Sequence, residues 1–309
     1  MNIIPKEETL YASTYPNLFY KGRFNPLDKR TLIKSVVVNS KFRSNYYNTL
    51  SSDFLFEFPL EFKNVVSLRV TDIQIPVQLY NISNYLGNNY FLIKNETSLD
   101  VKKIIIPDGF YSNKSLIDVI NNIFGNFTDE FKFIFFAING EGGNGETVVA
   151  LMDTAPYIFN FTLEFNTDFI ENIFSDTKSV KYNNTNLMTK LGWILGFRFN
   201  HYDTKSVYVS EGLIETQLST IFLCINDFND NQFNNKFNVF NNKSLLSNDI
   251  VSQIYVSNKT SVNSITKTYF GGTNLTKIHI RLIDSFGKII DLNNNDFNFT
   301  IQLEMIYDL

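Results

Sequence analysis

The sequence is poor in most residues that carry chemistry. Its 309 residues hold one cysteine, Cys224, and two histidines, His201 and His279. One cysteine cannot form an internal disulfide, so the fold does not depend on an oxidising compartment. Cys224 lies in the apolar run Ile221-Phe222-Leu223-Cys224-Ile225 and reads as a small buried hydrophobe. Two isolated histidines offer no zinc-ligand spacing and no local Ser-His-Asp or Cys-His arrangement. No run of five basic residues occurs, and net charge is −4 with a pI near 5.3. A tract able to neutralise a phosphate backbone is missing, which argues against a dedicated nucleic-acid binder. No stretch of 18 apolar residues exists, so no transmembrane segment is expected. Met1–Leu10 is polar, with Lys6, Glu7 and Glu8 and no apolar core, so no signal peptide is expected either.

What is present is aromatic and polar. Hydrophobic residues make up 44% of the chain, with 31 Phe and 16 Tyr against 14 Gly and only 7 Pro. Asparagine is very common, a bias that an AT-rich genome produces unaided. The sequons, such as Asn81-Ile82-Ser83 and Asn298-Phe299-Thr300, therefore read as products of Asn richness. A chain of this length hides roughly 70–75% of its unfolded surface, enough for a large core. The aromatic load exceeds what such a core needs, and Tyr and Phe are favoured at interfaces between subunits.

Residues 1–34 read as an extended arm, with Pro5, Pro16 and Pro26 among Tyr11, Tyr15, Phe19 and Tyr20. Arms of this kind drape over their own domain or are exchanged between copies. From residue 35 the texture is β. Ser35–Val38 is β-branched, Phe54, Phe56 and Phe58 alternate up to Pro59, and Val66, Leu68 and Val70 alternate up to Pro76. Residues 101–200 differ. Leu116, Val119, Ile120, Ile123 and Phe124 fall on one helical face, with Ser112 or Asn113 as cap and Gly125 at the C′ position. Strands are expected at Phe131–Phe136, Thr147–Met152 and Ile158–Phe165, and short helices at Asp168–Phe174, capped by Thr167, and Leu187–Leu191. Further strands are expected at Ser206–Val209, Thr220–Ile225, Ile254–Val256 and Lys277–Leu282. In the last, Phe297, Phe299, Ile301, Leu303, Met305 and Tyr307 share one face. Residues 226–250 read as a long exposed loop. The chain is thus mainly β, a sandwich or barrel formed by 35–100 and 201–309, with a small α+β lobe inserted at 101–200. Two tandem β-domains are the alternative.

No catalytic, cofactor-binding or metal-binding residue is nominated. Gly140–Gly145 lacks the Gly-Lys-Ser/Thr ending of a phosphate loop and reads as a hairpin turn. The clusters Asp227–Asn231 and Asp291–Asp296 lack the glycine and glutamate of a helix–loop–helix calcium site and read as turns. His279, in Lys277-Ile278-His279-Ile280-Arg281, points away from the isoleucine face, and His201 reads as a loop residue. Trp193, in Leu191-Gly192-Trp193-Ile194-Leu195-Gly196-Phe197, reads as core. The remaining function classes are an assembling structural protein, a carbohydrate- or receptor-binding β-module for which Trp193 would matter, and an enzyme with a convergent site that no residue pattern reveals.

Three ordered segments carry a resemblance. The first is Asn25-Pro26-Leu27-Asp28-Lys29-Arg30-Thr31, then Val38-Asn39-Ser40-Lys41-Phe42-Arg43-Ser44-Asn45-Tyr46-Tyr47, continuing through Ser51–Phe54 and Lys63–Leu68 to Ile75-Pro76. The second is Ile106-Pro107-Asp108-Gly109-Phe110-Tyr111, with Leu195-Gly196-Phe197-Arg198 after the helix. The third is Ile280–Asp284, Gly287, Asp291–Asn294 and Phe297–Ile301. Together they resemble the penton and minor capsid proteins of nucleocytoplasmic large DNA viruses, the giant viruses. The resemblance implies a jelly-roll β-sandwich, no cofactor, and a place in the virion capsid shell assembled in the infected host cytoplasm. It implies self-association, as a homopentamer at icosahedral vertices if the chain is a penton, with the major capsid protein and other minor capsid proteins as partners. A minor capsid or cement protein under the major capsid lattice is the alternative within the family. The 101–200 lobe would be displayed beyond the shell.

Overall fold

The computed structural model describes residues 31–76, 79–140, 142, 145–165, 187–217, 220–230, 237–241, 244–256 and 261–307. In chain order the elements are β1 (Thr31–Asn39), β2 (Asp53–Gln74), β3 (Tyr90–Asn95), β4 (Val101–Ile105), α1 (Asn113–Gly125), β5 (Ile134–Asn139), β6 (Glu146–Leu151), β7 (Phe161–Glu164), α2 (Leu191–Ile194), β8 (His201–Lys205), β9 (Val207–Leu213), β10 (Thr220–Asn226), β11 (Phe240–Asn241), β12 (Ser244–Leu245), β13 (Ile250–Tyr255), β14 (Ser261–Ser264), β15 (Thr266–Ile283) and β16 (Asn298–Ile306). The fold is mainly β, and every strand pairing among the described residues is antiparallel. Most of the expected arm, and the expected helix at Asp168–Phe174, lie outside the described residues. Thr31–Lys34, placed in the arm by sequence, form the start of β1.

The chain divides into two compact units, and the boundaries differ from those expected. The first unit combines the residues up to 76 with 220–290 and the segment from 294. The second is 77–219 with 291–293. The inserted lobe is therefore larger than 101–200. The reason is hydrogen bonding: β3 pairs with β4 and β7, and β9 pairs with β6, so residues before 101 and after 200 are laddered into the lobe.

The first unit is built on a seven-stranded antiparallel sheet in the order β1-β16-β2-β15-β10-β13-β14. Alternation builds its core. In β16, Phe299, Ile301 and Leu303 are buried while the residues between them are half-buried. One strand end expected from a proline is absent. Pro59 lies within β2, where the ladder jumps from Glu57↔Lys277 to Phe62↔Leu275. A proline is tolerated at such a bulge because no ladder hydrogen bond is required of it. A second jump, between Thr268↔Ser67 and Thr273↔Val65, places Gly271 at φ +78° and Asn64 at φ +54°. There a Cβ on Gly272 would approach the Asn64 Cα to 2.8 Å, so a side chain at 272 is excluded. The loop expected over 226–250 is partly structured. It contains the hairpin β11–β12, and Phe237, Val239 and Leu246 pack against a cluster of Phe222, Cys224, Ile250 and Ile283.

The second unit holds a four-stranded sheet, β4-β3-β7-β8, a three-stranded sheet, β5-β6-β9, and α1. Ser112 caps α1 by accepting from the Ser115 backbone amide, while the Ser115 hydroxyl returns the contact. Gly125 is the last helical residue, and Asn126 takes the C-cap. Leu116, Ile120 and Phe124 of α1 join Phe91, Phe136, Phe161, Phe165 and Phe197 in one aromatic core.

Candidate assembly surfaces

The residues weighed for chemistry each have a structural partner. Cys224 is buried, and burial pushes its thiol up to about 11, so no thiolate forms near neutral pH. His279 Nε2 lies 2.7 Å from an Asp53 carboxylate oxygen on the neighbouring strand. His201 opens β8 rather than a loop; its Nδ1 lies 2.9 Å from Glu164 and its Nε2 3.6 Å from Asp203. Trp193 is half-buried rather than core, and the Arg198 guanidinium sits 4.1 Å from its ring centroid. Gly140 follows β5 and Gly145 precedes β6, as the hairpin reading requires, with part of the turn outside the described residues. Among the described residues no three His, Cys, Asp or Glu side chains gather as metal ligands would.

The two acidic clusters behave differently from ordinary turns. Asp296 accepts from Ser40 Oγ at 2.8 Å and from Arg43 Nη1 at 3.1 Å. The Arg43 side chain is 2% exposed. It also donates to the carbonyls of Ser40, Tyr46 and Thr49, and its guanidinium lies 3.9 Å from the Tyr46 ring centroid. One cation thus ties a whole loop to the start of the last strand. The positive φ of Asn293 and Asn294 makes the preceding turn, and Asp291 accepts from the Asn293 amide. Asp227, in the other cluster, is buried against Lys267 and Tyr269 of β15. Sequence reading missed both contacts because their partners are distant in the chain. A lysine at an inward position of β15, opposite buried Leu68, was the available signal.

The surface is unusual in three places. β1 is an edge strand of nine residues whose outer side has no partner strand among those described. Its Leu32, Ile33 and Val37 are 45%, 59% and 64% exposed, and Lys34 is its one charge. A long apolar edge of this kind is a template for another strand. Next in the chain, the Arg43-clamped loop holds Phe42 and Tyr47 out, the latter 96% exposed. The third place is in the other unit. On the three-stranded sheet, Phe135, Ala137, Val148, Ala150, Val207 and Val209 are cross-strand neighbours on one face, opposite the face that buries Phe136, Val149 and Tyr208. An antiparallel sheet facing water normally carries polar residues there.

No protein-family model and no curated protein matches the chain. Among solved structures it is similar to the selenomethionine-labelled penton protein of mavirus, with 10% identity and a TM-score of 0.40 over 90% of this chain and 100% of that one. It is also similar to a chain of the Sputnik virophage structure determined by electron cryomicroscopy, with 12% identity and a TM-score of 0.37 over 90% and 98% of the two chains. At this distance no residue role transfers.

Proposed function

We propose that the chain is a structural protein of a virion, working in the capsid shell by assembling with further subunits. The observation that carries this reading is the exposed apolar edge β1, followed directly by a loop whose aromatics are held out by a buried arginine. Rigid aromatic side chains cost little ordering entropy on binding, and such residues dominate interface energetics. The ordered sequence segments give the finer form: a penton forming a homopentamer at icosahedral vertices, beside the major capsid protein. The first of those segments contains the Arg43 clamp itself. A carbohydrate-binding module has weaker support, since the Arg198 guanidinium occupies one face of the Trp193 ring.

Sedimentation of the purified chain over a wide concentration range tests the reading. We expect a defined oligomer that Val37→Lys combined with Tyr47→Ala converts to monomer without changing the far-ultraviolet spectrum. A chain that stays monomeric at every concentration, and fails to join capsid protein, overturns it. Electron images of particles then separate five-fold positions from lattice positions.

A further inference from the structure

We infer that Lys267 and Asp227 form an intramolecular isopeptide bond, with Tyr269 as the residue that assists its closure. The three side chains lie inside one unit. The Lys267 side chain is 5% exposed and that of Asp227 0% exposed, and Lys267 Nζ lies 2.7 Å from Asp227 Oδ1. Tyr269, two residues along β15 on the same inward face and 3% exposed, donates its hydroxyl to the other carboxylate oxygen, Oδ2. The Lys267 Nζ also sits 5.9 Å from the centroid of the Tyr269 ring. The pair stands next to Leu68, which is fully buried.

An amine, a carboxyl group and a proton donor on the carboxyl oxygen, together in a dry interior, are the components of amide formation. A proton passes from Nζ to Oδ1 along the short hydrogen bond between them. The neutral Nζ then attacks Cγ, forming the C–N bond, and the charge that develops on Oδ2 is held by the Tyr269 hydroxyl. A second nitrogen proton moves to Oδ1, the Cγ–Oδ1 bond breaks, and Oδ1 leaves as water while Oδ2 restores the carbonyl. No oxidant, reductant or activating co-reactant is needed. The bond would join the end of β10 to the start of β15, supplying a covalent tie in a chain whose single cysteine cannot provide one.

The inference is independent of the capsid reading and is tested on the full chain. We expect the intact mass of the folded protein to fall one water molecule short of the mass its sequence requires. Proteolysis should then release a branched peptide joining the Asp227 and Lys267 segments. Asp227→Ala and Lys267→Met should each restore the full mass, and Tyr269→Phe should lower the bonded fraction at least several-fold at equal times after synthesis. A wild-type protein of full sequence mass with no branched peptide overturns the inference, whether or not the variants fold. A bonded fraction unaffected by Tyr269→Phe overturns the role given to the tyrosine.

Discussion

The two units solve the interior problem differently. The second centres on an aromatic cluster set among Ile and Leu side chains: Phe91, Phe124, Phe136 and Phe165 pack at centroid separations of 5.6–6.5 Å. Ion pairs described in it, such as Lys94–Glu96 and Lys102–Asp129, are part-exposed. The first unit buries charge. Arg43 and Lys267 are almost wholly enclosed, each beside a carboxylate. Dispersion and area burial hold the aromatic unit together, and these act without regard to direction. Buried ion pairs add little net stability but tolerate few geometries. The first unit, whose long strands β2 and β15 shift register three times along their ladder, is where such constraint on register matters. The difference teaches that one unit is built to be compact and the other to hold a fixed shape.

The chain carries its own reporters for this contrast, since its one tryptophan lies in the second unit and its one cysteine in the first. The largest expected effect is Phe124→Ala, which empties a fully enclosed aromatic site at a cost of about 3–5 kcal/mol. It should shift the denaturant midpoint followed by Trp193 fluorescence more than the onset of Cys224 alkylation. Lys267→Met should do the reverse, by a similar amount of about 3–5 kcal/mol, because it takes away the amine partner of a fully enclosed carboxyl group and with it the inferred covalent tie. Adding Asp227→Leu to it should recover only the part owed to the stranded carboxyl group, since the covalent tie stays absent, whereas a second aromatic truncation should deepen the first. Arg43→Met should cost about 2–3 kcal/mol through its lost charged hydrogen bonds, and should release Tyr47 from its fixed position, visible as faster proteolysis of the 42–49 loop.

A smaller effect is alkaline. Burial raises the Cys224 thiol from 9.0 to about 11, so the folded state holds the proton more tightly. The corresponding stability is fully present below pH 9 and is lost as pH rises through about 11, by about 2.7 kcal/mol at most. Cys224→Ala should flatten that part of the pH profile of the first unit. Ser112→Ala is the smallest, about 1 kcal/mol for the lost helix cap, and should be felt by Trp193 alone.

Local pattern made part of this legible. The helix over Leu116–Phe124, its Ser112 cap, the strand at Thr220–Ile225 and the alternating last strand all follow from periodicity, which depends only on neighbours in sequence. The failures share a cause. Pro59 is a reasonable strand end unless the partner strand bulges to excuse it, and the partner lies some 200 positions later. The lobe boundaries could not be placed because β3 and β9 look like any other strands until their ladders are known. The functional surfaces were the least legible. Val37 and Phe299 are both apolar and both in strands, yet one is 64% exposed and the other 1%. Only the sheet order separates them.

That sheet order also sets a sequence of events during synthesis. β16, the last strand to be made among those described, lies between β1 and β2, which are among the first. As the chain leaves the ribosome, the second unit has all its strands once residue 213 has emerged, and can fold while translation continues. The first unit cannot. Until β16 arrives, β1 has no place in a sheet, and the surface proposed to bind other subunits does not exist as a surface. On the proposed reading, a nascent chain presents no such surface to other subunits until β16 has been made.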